Sequence, residues 1–161
     1  MNVETVKRGP MRFLGIVVTA HWQDLGTAVP AGWKALFARH GDIEAVATGL
    51  GDYAEISLGE DGGVYTELLC LQVQSLARIP EGMVDIRLPE NTWLKTVHDG
   101  PLAGIADGFG AILDHAQATG VTASQLKLDT GYAPGLPAGR HELLIALEPA
   151  AMPELTEAVE V

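Results

Sequence analysis

The sequence predicts an α+β fold, an antiparallel sheet with two main helices on one face. Three observations predict it. Two apolar stripes recur at helical spacing, around Trp33 and around Phe109. Runs that read as strands flank both stripes, and one pair forms a hairpin signal around Gly59-Glu60-Asp61-Gly62-Gly63. The order strand, helix, strand, strand occurs twice along the 161 residues, which suits an antiparallel sheet with its helices segregated to one side.

Residues 2–7 read as a short strand broken at Gly9-Pro10. Phe13 to Ala20 is almost continuously apolar, as expected of a strand covered on both faces or central in its sheet. Pro30 is expected to open the first helix, whose apolar face is Val29, Trp33, Leu36, Phe37 and His40, with Gly41-Asp42 ending it. Tyr53–Leu58 and Val64–Val73 form the hairpin, and Met83–Leu88 alternates, with Asp85 and Arg87 facing away from Val84, Ile86 and Leu88.

The segment from Leu88 to Gly120 is the clearest unit. Trp93, Leu94 and Val97 lie in a strand-like run, and Pro101, after Asp99-Gly100, suits a first helical turn because its missing N–H costs nothing there. Leu102, Ile105, Phe109, Ile112, Leu113 and Ala116 fall on one helical face, and Gly120 can take the left-handed turn that ends the helix. A strand near Leu126–Thr130, a Pro/Gly loop over 133–139 and a last strand, His141–Leu147, complete the unit. Beyond Pro149 an acidic tail with Glu154, Glu157 and Glu160 is expected to be frayed or loosely helical.

This unit reads as the second of two copies. Ile16–His21 aligns with Trp93–His98, both ending in Thr-x-His, and Leu25 aligns with Leu102 at the same spacing. Trp33 and Leu36-Phe37 then align with Phe109 and Ile112-Leu113, and Glu67-Leu68-Leu69 with Glu142-Leu143-Leu144, each at a slightly shorter spacing. Small loop deletions between related halves produce such a drift. The expected halves are 3–76 and 80–148, with 149–161 as a tail, in one domain whose Thr19/Thr96 and Glu67/Glu142 pairs superpose.

Composition narrows the function. Hydrophobic residues make up 47% and charged residues 19%, the balance of a globular chain. Ten basic against 21 acidic side chains give a formal charge of −11. Such a surface repels phosphates, so no direct nucleic-acid partner is expected. Cys70 is the only cysteine, which fits a reducing compartment. No apolar run has the length of a membrane span, so no membrane partner is expected. Lys7, Arg8 and Arg12 before FLGIVVTA resemble a signal peptide, but the run is short, carries Glu4 upstream and forms half of the repeat. It is read as a core strand, with cytoplasmic localisation.

The segment TVHDGPLAGIADGFGAILDHAQATG resembles the second-half signature of the GyrI-like effector-binding family, the ligand-binding domain of AraC-type and MerR-type bacterial regulators. FLGIVV, GWKALF and GDYAEIS resemble the family's first strand, its Trp-bearing helix and its Tyr-containing strand, so the likeness spans about residues 3–148. The resemblance implies tandem β-α-β-β (SHS2-like) units. It also implies binding of small, often cationic and aromatic, drug-like molecules in a cleft between the halves. Many relatives are fused to DNA-binding domains, others stand alone, and a few are hydrolases.

The family's cleft glutamate falls at Asp129, preceded by Leu128 where the family has an aromatic; another alignment puts Lys127 there. A carboxylate in an apolar cleft attracts a desolvated cation far more strongly than one in water. Aromatic faces beside it add about 0.5–2 kcal/mol each. Trp33, Tyr53, Trp93 and Tyr132 are the candidate aromatic walls; plain core packing is the alternative for the two tryptophans, and a neutral strand-end position for the two tyrosines. Glu67 and Glu142 are repeat-related acids, placed either on the solvent face or near the junction, and Glu67 is taken as a cleft residue. Gly104 and Gly108 on the second helix indicate close packing or room for a ligand. His21 and His98 read as structural hydrogen-bonding residues at strand ends, and Cys70 as a small core residue.

No catalytic residue, metal ligand or cofactor motif is identified. The expectation is a stand-alone sensor or sequestering protein for a small amphipathic ligand, acting alone or through a protein partner. The alternatives are a cleft hydrolase acting on small electrophiles and, behind it, a haem carrier.

Overall fold

The computed structural model describes residues 2–159. The strands are β1 (Glu4–Arg8), β2 (Met11–His21), β3 (Ala47–Thr48), β4 (Tyr53–Asp61), β5 (Val64–Gln72), β6 (Ser75–Leu76), β7 (Val84–Leu88), β8 (Asn91–Gly100), β9 (Ala123–Tyr132), β10 (Gly139–Leu147) and β11 (Glu154–Glu157). The helices are α1 (Trp22–Ala38), α2 (His40–Glu44) and α3 (Ile105–Thr119), the last entered through a 3₁₀ turn at Leu102–Gly104. Nine strands form one sheet in the order β1-β8-β10-β9-β4-β5-β2-β7-β11, every pairing antiparallel. The expected α+β class, with its large antiparallel sheet, is therefore present.

Helix placement follows from alternation along the strands. Leu14, Ile16 and Val18 of β2 and Leu69 and Leu71 of β5 bury against Trp33 and Leu36 of α1. Leu94 of β8 and Leu143 and Ile145 of β10 bury against Ile112 and Ala116 of α3. The central β4–β9 pair lies between these two helix-covered regions. The opposite face carries no helix, yet Phe13, Ile56, Leu68, Ile86, Trp93, Leu128 and Leu144, from seven different strands, are buried there in one cluster. Strands far apart in the order share this core, so the sheet curves around it.

α3 ends as expected, with Gly120 at φ 73°. Gly108 packs α3 tightly on the sheet, because a Cβ there would overlap the Leu143 side chain, and one at Gly104 would overlap the His98 ring. Both glycines therefore serve close packing. Leu113, expected on the buried stripe, is 45% exposed at its margin.

Three expectations change. Pro30 does not open α1 but lies within it, eight residues after Trp22. Interior proline forfeits one helical hydrogen bond, and the packing of Trp33 and Leu36 offsets this. The acidic tail is not frayed or helical through Glu157, since Glu154–Glu157 pairs with β7 as an edge strand. Glu160 lies outside the described residues.

The third change concerns the internal alignment. Val18 faces α1, so its neighbour Thr19 faces the other side, whereas Thr96 shares the α3 side with Leu94. Glu67 shares the helix side with Leu69, while Glu142 shares the far side with Leu144. Neither pair can superpose. Each aligned pair is out of register by one residue, and in a strand a one-residue slip moves a side chain to the opposite face.

Gly15 is required by the contact between β2 and β5. A Cβ there would overlap the Leu69 carbonyl and the Cys70 backbone, neither of which can move without breaking the ladder. Gly15→Ala is therefore expected to lower stability by about 1–3 kcal/mol, read as a lower urea midpoint. An unchanged midpoint would mean that this strand pair is looser than its packing indicates.

Candidate functional site

α1 covers β2 and β5, and α3 covers β8 and β10, so the strands between them are left as the floor of a cleft. Its volume is about 400 Å³. Glu55 and Ser57 of β4, Glu67 of β5, and Lys127 and Asp129 of β9 form the polar floor. Val29, Pro30 and Trp33 form the α1 wall; Leu102, Ile105 and Phe109 form the other. Tyr132 and Leu136 also line the cleft.

The strand register brings the floor residues together. Glu55 pairs across the strands with Asp129, and Ser57 with both Lys127 and Glu67. Directly paired side chains on one sheet face stand about 4.5–5.5 Å apart at Cβ. Three carboxylates thus share one small floor. Ser57 donates a hydrogen bond of 2.9 Å to Glu67 Oε1, while Glu67 Oε2 is buried with no partner among the described residues. The Tyr132 hydroxyl donates to Asp129 Oδ2.

Crowding acids in a partly apolar space raises their pKa values. Burial first, then the Glu67 charge, raises Asp129 against the opposing Tyr132 hydrogen bond, leaving its pKa at about 7. Glu55 stands well above its ordinary value through burial, with Asp129 and Glu67 adding to it. Glu67 is also raised by burial, although hydrogen bonding from Glu55 and Ser57, and then the Lys127 charge, oppose this. Tyr132 is raised by burial and the neighbouring carboxylates, so it stays a hydrogen-bond donor.

The aromatic wall is a stack. Trp33 lies face to face with Tyr132 at 4.6 Å between centroids and with Phe37 at 5.2 Å. Trp33 is only 1% exposed, packed in the core under α1 with Tyr132 against its face. The Trp33 N–H favours the Glu55 carboxylate from nearby without making a hydrogen bond of normal geometry. Across the cleft, the Lys127 ammonium sits 5.5 Å from the Phe109 ring centroid. Leu136, lining the cleft, holds a left-handed φ of 48°, an uncommon conformation for leucine.

Of the residues expected at the site, Trp33, Glu67, Asp129 and Tyr132 line this cleft. Tyr53 does not. It lies behind Trp33 and Phe37, edge-on to both rings, with its hydroxyl 2.6 Å from His40 Nδ1. Trp93 is buried in the core on the opposite sheet face. Its neighbour Leu94 takes the α3 side, and strand alternation then sends the indole away from the cleft. Leu128 occupies that opposite face too, so this position supplies no cleft wall. Glu142 makes a surface network with Arg8 at 3.2 Å and Lys95 at 3.3 Å.

Asp129 and Lys127, competing alignments in the sequence, both reach the floor because they are two residues apart on one strand. Glu55, Ser57 and Phe109 were not selected. The signal for Glu55 and Ser57 was the alternation Tyr53-Ala54-Glu55-Ile56-Ser57, which puts an acid and a hydroxyl on the face opposite two buried apolar residues. His98 and His21 hydrogen-bond the carbonyls of Pro101 at 2.7 Å and Gly63 at 3.1 Å, holding strand ends. Cys70 is a buried free thiol, raised well above its ordinary pKa by burial. Among the described residues no group of three His, Cys, Asp or Glu side chains could hold a metal ion.

No protein-family model and no curated protein matches the chain by sequence. Solved structures do match in three dimensions. SAV2435 bound to tetraphenylphosphonium aligns at TM-score 0.70 and 9% identity, over 92% of this chain and 95% of that one. The EcmrR C-terminal domain aligns at TM-score 0.62 and 10% identity, over 91% and 97%. The chain shares the fold of these two structures, consistent with the GyrI-like resemblance of its sequence. A hydrolase encoded by lin2189 from Listeria innocua aligns less closely, at TM-score 0.53 and 10% identity, over 91% of each chain. At these identities the likeness is one of fold, and the cleft has to be read from its own side chains. No helix among the described residues is long and apolar enough to cross a membrane.

Proposed function

We propose that this protein binds a small aromatic or amphipathic cation in the cleft between α1 and α3. One observation carries the reading: Glu55, Glu67 and Asp129 share a floor between two apolar helix walls. Their mutual repulsion and desolvation are relieved by an incoming cation, so ligand binding recovers free energy stored in the empty site. A hydrated metal ion would leave the apolar walls unused, whereas an organic cation would use both. SAV2435, with the same fold, was solved bound to such a cation.

The role that fits is sensor or sequestering protein in the reducing cytoplasm, where the lone thiol of Cys70 is stable. We further propose that residues 3–76 and 80–148 are copies of one β-α-β-β unit, with 149–161 added as a tail. The strand order supports this, since β9-β10-β8 and β4-β5-β2 run outward from the centre in matching sequence. The alignment must keep each side chain's sheet face, which changes its spacing by one residue.

Tetraphenylphosphonium is expected to bind with one-to-one stoichiometry and to change Trp33 fluorescence, because ligand contact must disturb the Trp33–Tyr132 stack. Tetraphenylborate, of the same shape and opposite charge, is expected not to bind. Equal binding of the two would make the site merely apolar and overturn the cation reading.

A further inference from the structure

The cleft contains its own cation. Lys127 stands on the floor two residues from Asp129, on the same sheet face, and its ammonium rests over Phe109. Among the described residues it forms no salt bridge within 4.0 Å, although three carboxylates share the cleft. The site is thus polarised. Asp129, with Tyr132 stacked on Trp33, makes an anionic end against α1; Lys127 over Phe109 makes a cationic end against α3.

A ligand carrying only positive charge meets attraction at one end and repulsion at the other. A ligand that also carries an anion a few bonds from its cation satisfies both ends. We propose that Lys127 makes this cleft selective for zwitterionic amphiphiles, whose cation lies over Asp129 and whose carboxylate or similar small anion pairs with Lys127. The inference rests on the cation reading above and specifies its ligand class. The ammonium suits this role because a compact charge on a flexible stem can leave an aromatic face and follow an incoming anion. The Phe109 contact, an exchangeable cation–π attraction, holds it in the cleft meanwhile.

The test compares (4-carboxybutyl)triphenylphosphonium with pentyltriphenylphosphonium, which share the aromatic cation and differ in the terminal carboxylate. Titrations at pH 8, followed by calorimetry and Trp33 fluorescence, are expected to show the carboxylate compound binding about tenfold more tightly, roughly 1.4 kcal/mol. In Lys127→Met the order is expected to reverse, the pentyl compound gaining and the carboxybutyl compound losing affinity. Lys127→Arg keeps the charge and is expected to keep the wild-type order, and it stands in if the methionine variant fails to fold. A ratio unchanged in Lys127→Met, or a wild-type preference for the pentyl compound, overturns this inference while leaving the cation reading intact. Failure of both compounds to bind overturns both.

Discussion

Asp129→Asn is expected to make the empty protein more stable and its grip on a cation weaker. The free-energy sign follows from the acid's raised pKa of about 7, against 3.8 for the free side chain. Between those values the native state holds a proton that the unfolded chain has released. Stability therefore falls as pH rises from about 4 to about 7, and stays at its reduced level above. One pKa unit corresponds to about 1.4 kcal/mol, so the gain from removing this acid at pH 8 is on the order of 2–4 kcal/mol. Asparagine keeps an acceptor for the Tyr132 hydroxyl, so the stack on Trp33 is retained. Urea melts at pH 8 and at pH 3 should diverge, with the variant ahead only at the higher pH. The same variant should lose on the order of 1–3 kcal/mol of affinity for tetraphenylphosphonium, the range for an interaction with a charged group, and little for an uncharged isostere. A variant equally destabilised at both pH values would make Asp129 a structural partner of Tyr132 and nothing more.

Affinity for a permanent cation is expected to rise steeply between pH 6 and pH 8. Tetraphenylphosphonium has no titrating group, so any dependence belongs to the protein. The groups facing Asp129 are Glu55 from β4, Glu67 from β5, Lys127 on its own strand and the Tyr132 hydroxyl. Tyr132, raised by burial and the neighbouring carboxylates, keeps its proton in this range, and the raised acids are what changes. A bound cation lowers their pKa values and expels protons. Each linked proton steepens the profile by up to about tenfold in affinity per pH unit. Calorimetry near pH 7 in buffers of different ionisation enthalpy should register that release. Tyr132→Phe removes the hydrogen bond that lowers Asp129, and is expected to move the rise to higher pH. A flat profile from pH 6 to pH 8 would mean that the carboxylates are already ionised in the empty protein, contrary to their shared burial.

How much of this was legible in the chain differs residue by residue. Gly120 and the Gly62-Gly63 turn act locally, through backbone conformations that a glycine alone takes readily, and both stand where the sequence put them. Pro30 misled because a proline suits the start of a helix, and only the packing of Trp33 shows that the helix already runs through it. The acidic tail reads as unstructured by composition, yet the free edge of β7 captures it through backbone hydrogen bonds that composition does not record. Trp93 lies away from the cleft because two neighbouring residues of a strand point to opposite sides, and only pairing partners reveal which side is which.

The sequence by itself determined the class of fold and both main helices, along with the presence of Trp33, Asp129, Glu67 and Tyr132 as candidates for one site. These depend on side-chain period, on glycine and proline at element ends, and on the acidic and aromatic residue types, all carried within short stretches of chain. Tertiary structure alone decided that β4 and β9 meet at the middle of the sheet, leaving floor strands between the two helices. That pairing sets Glu55 opposite Asp129 and Ser57 opposite both Lys127 and Glu67. The charge balance of the cleft is a property of this register, since residues more than seventy positions apart act as one titrating group only after the strands align them.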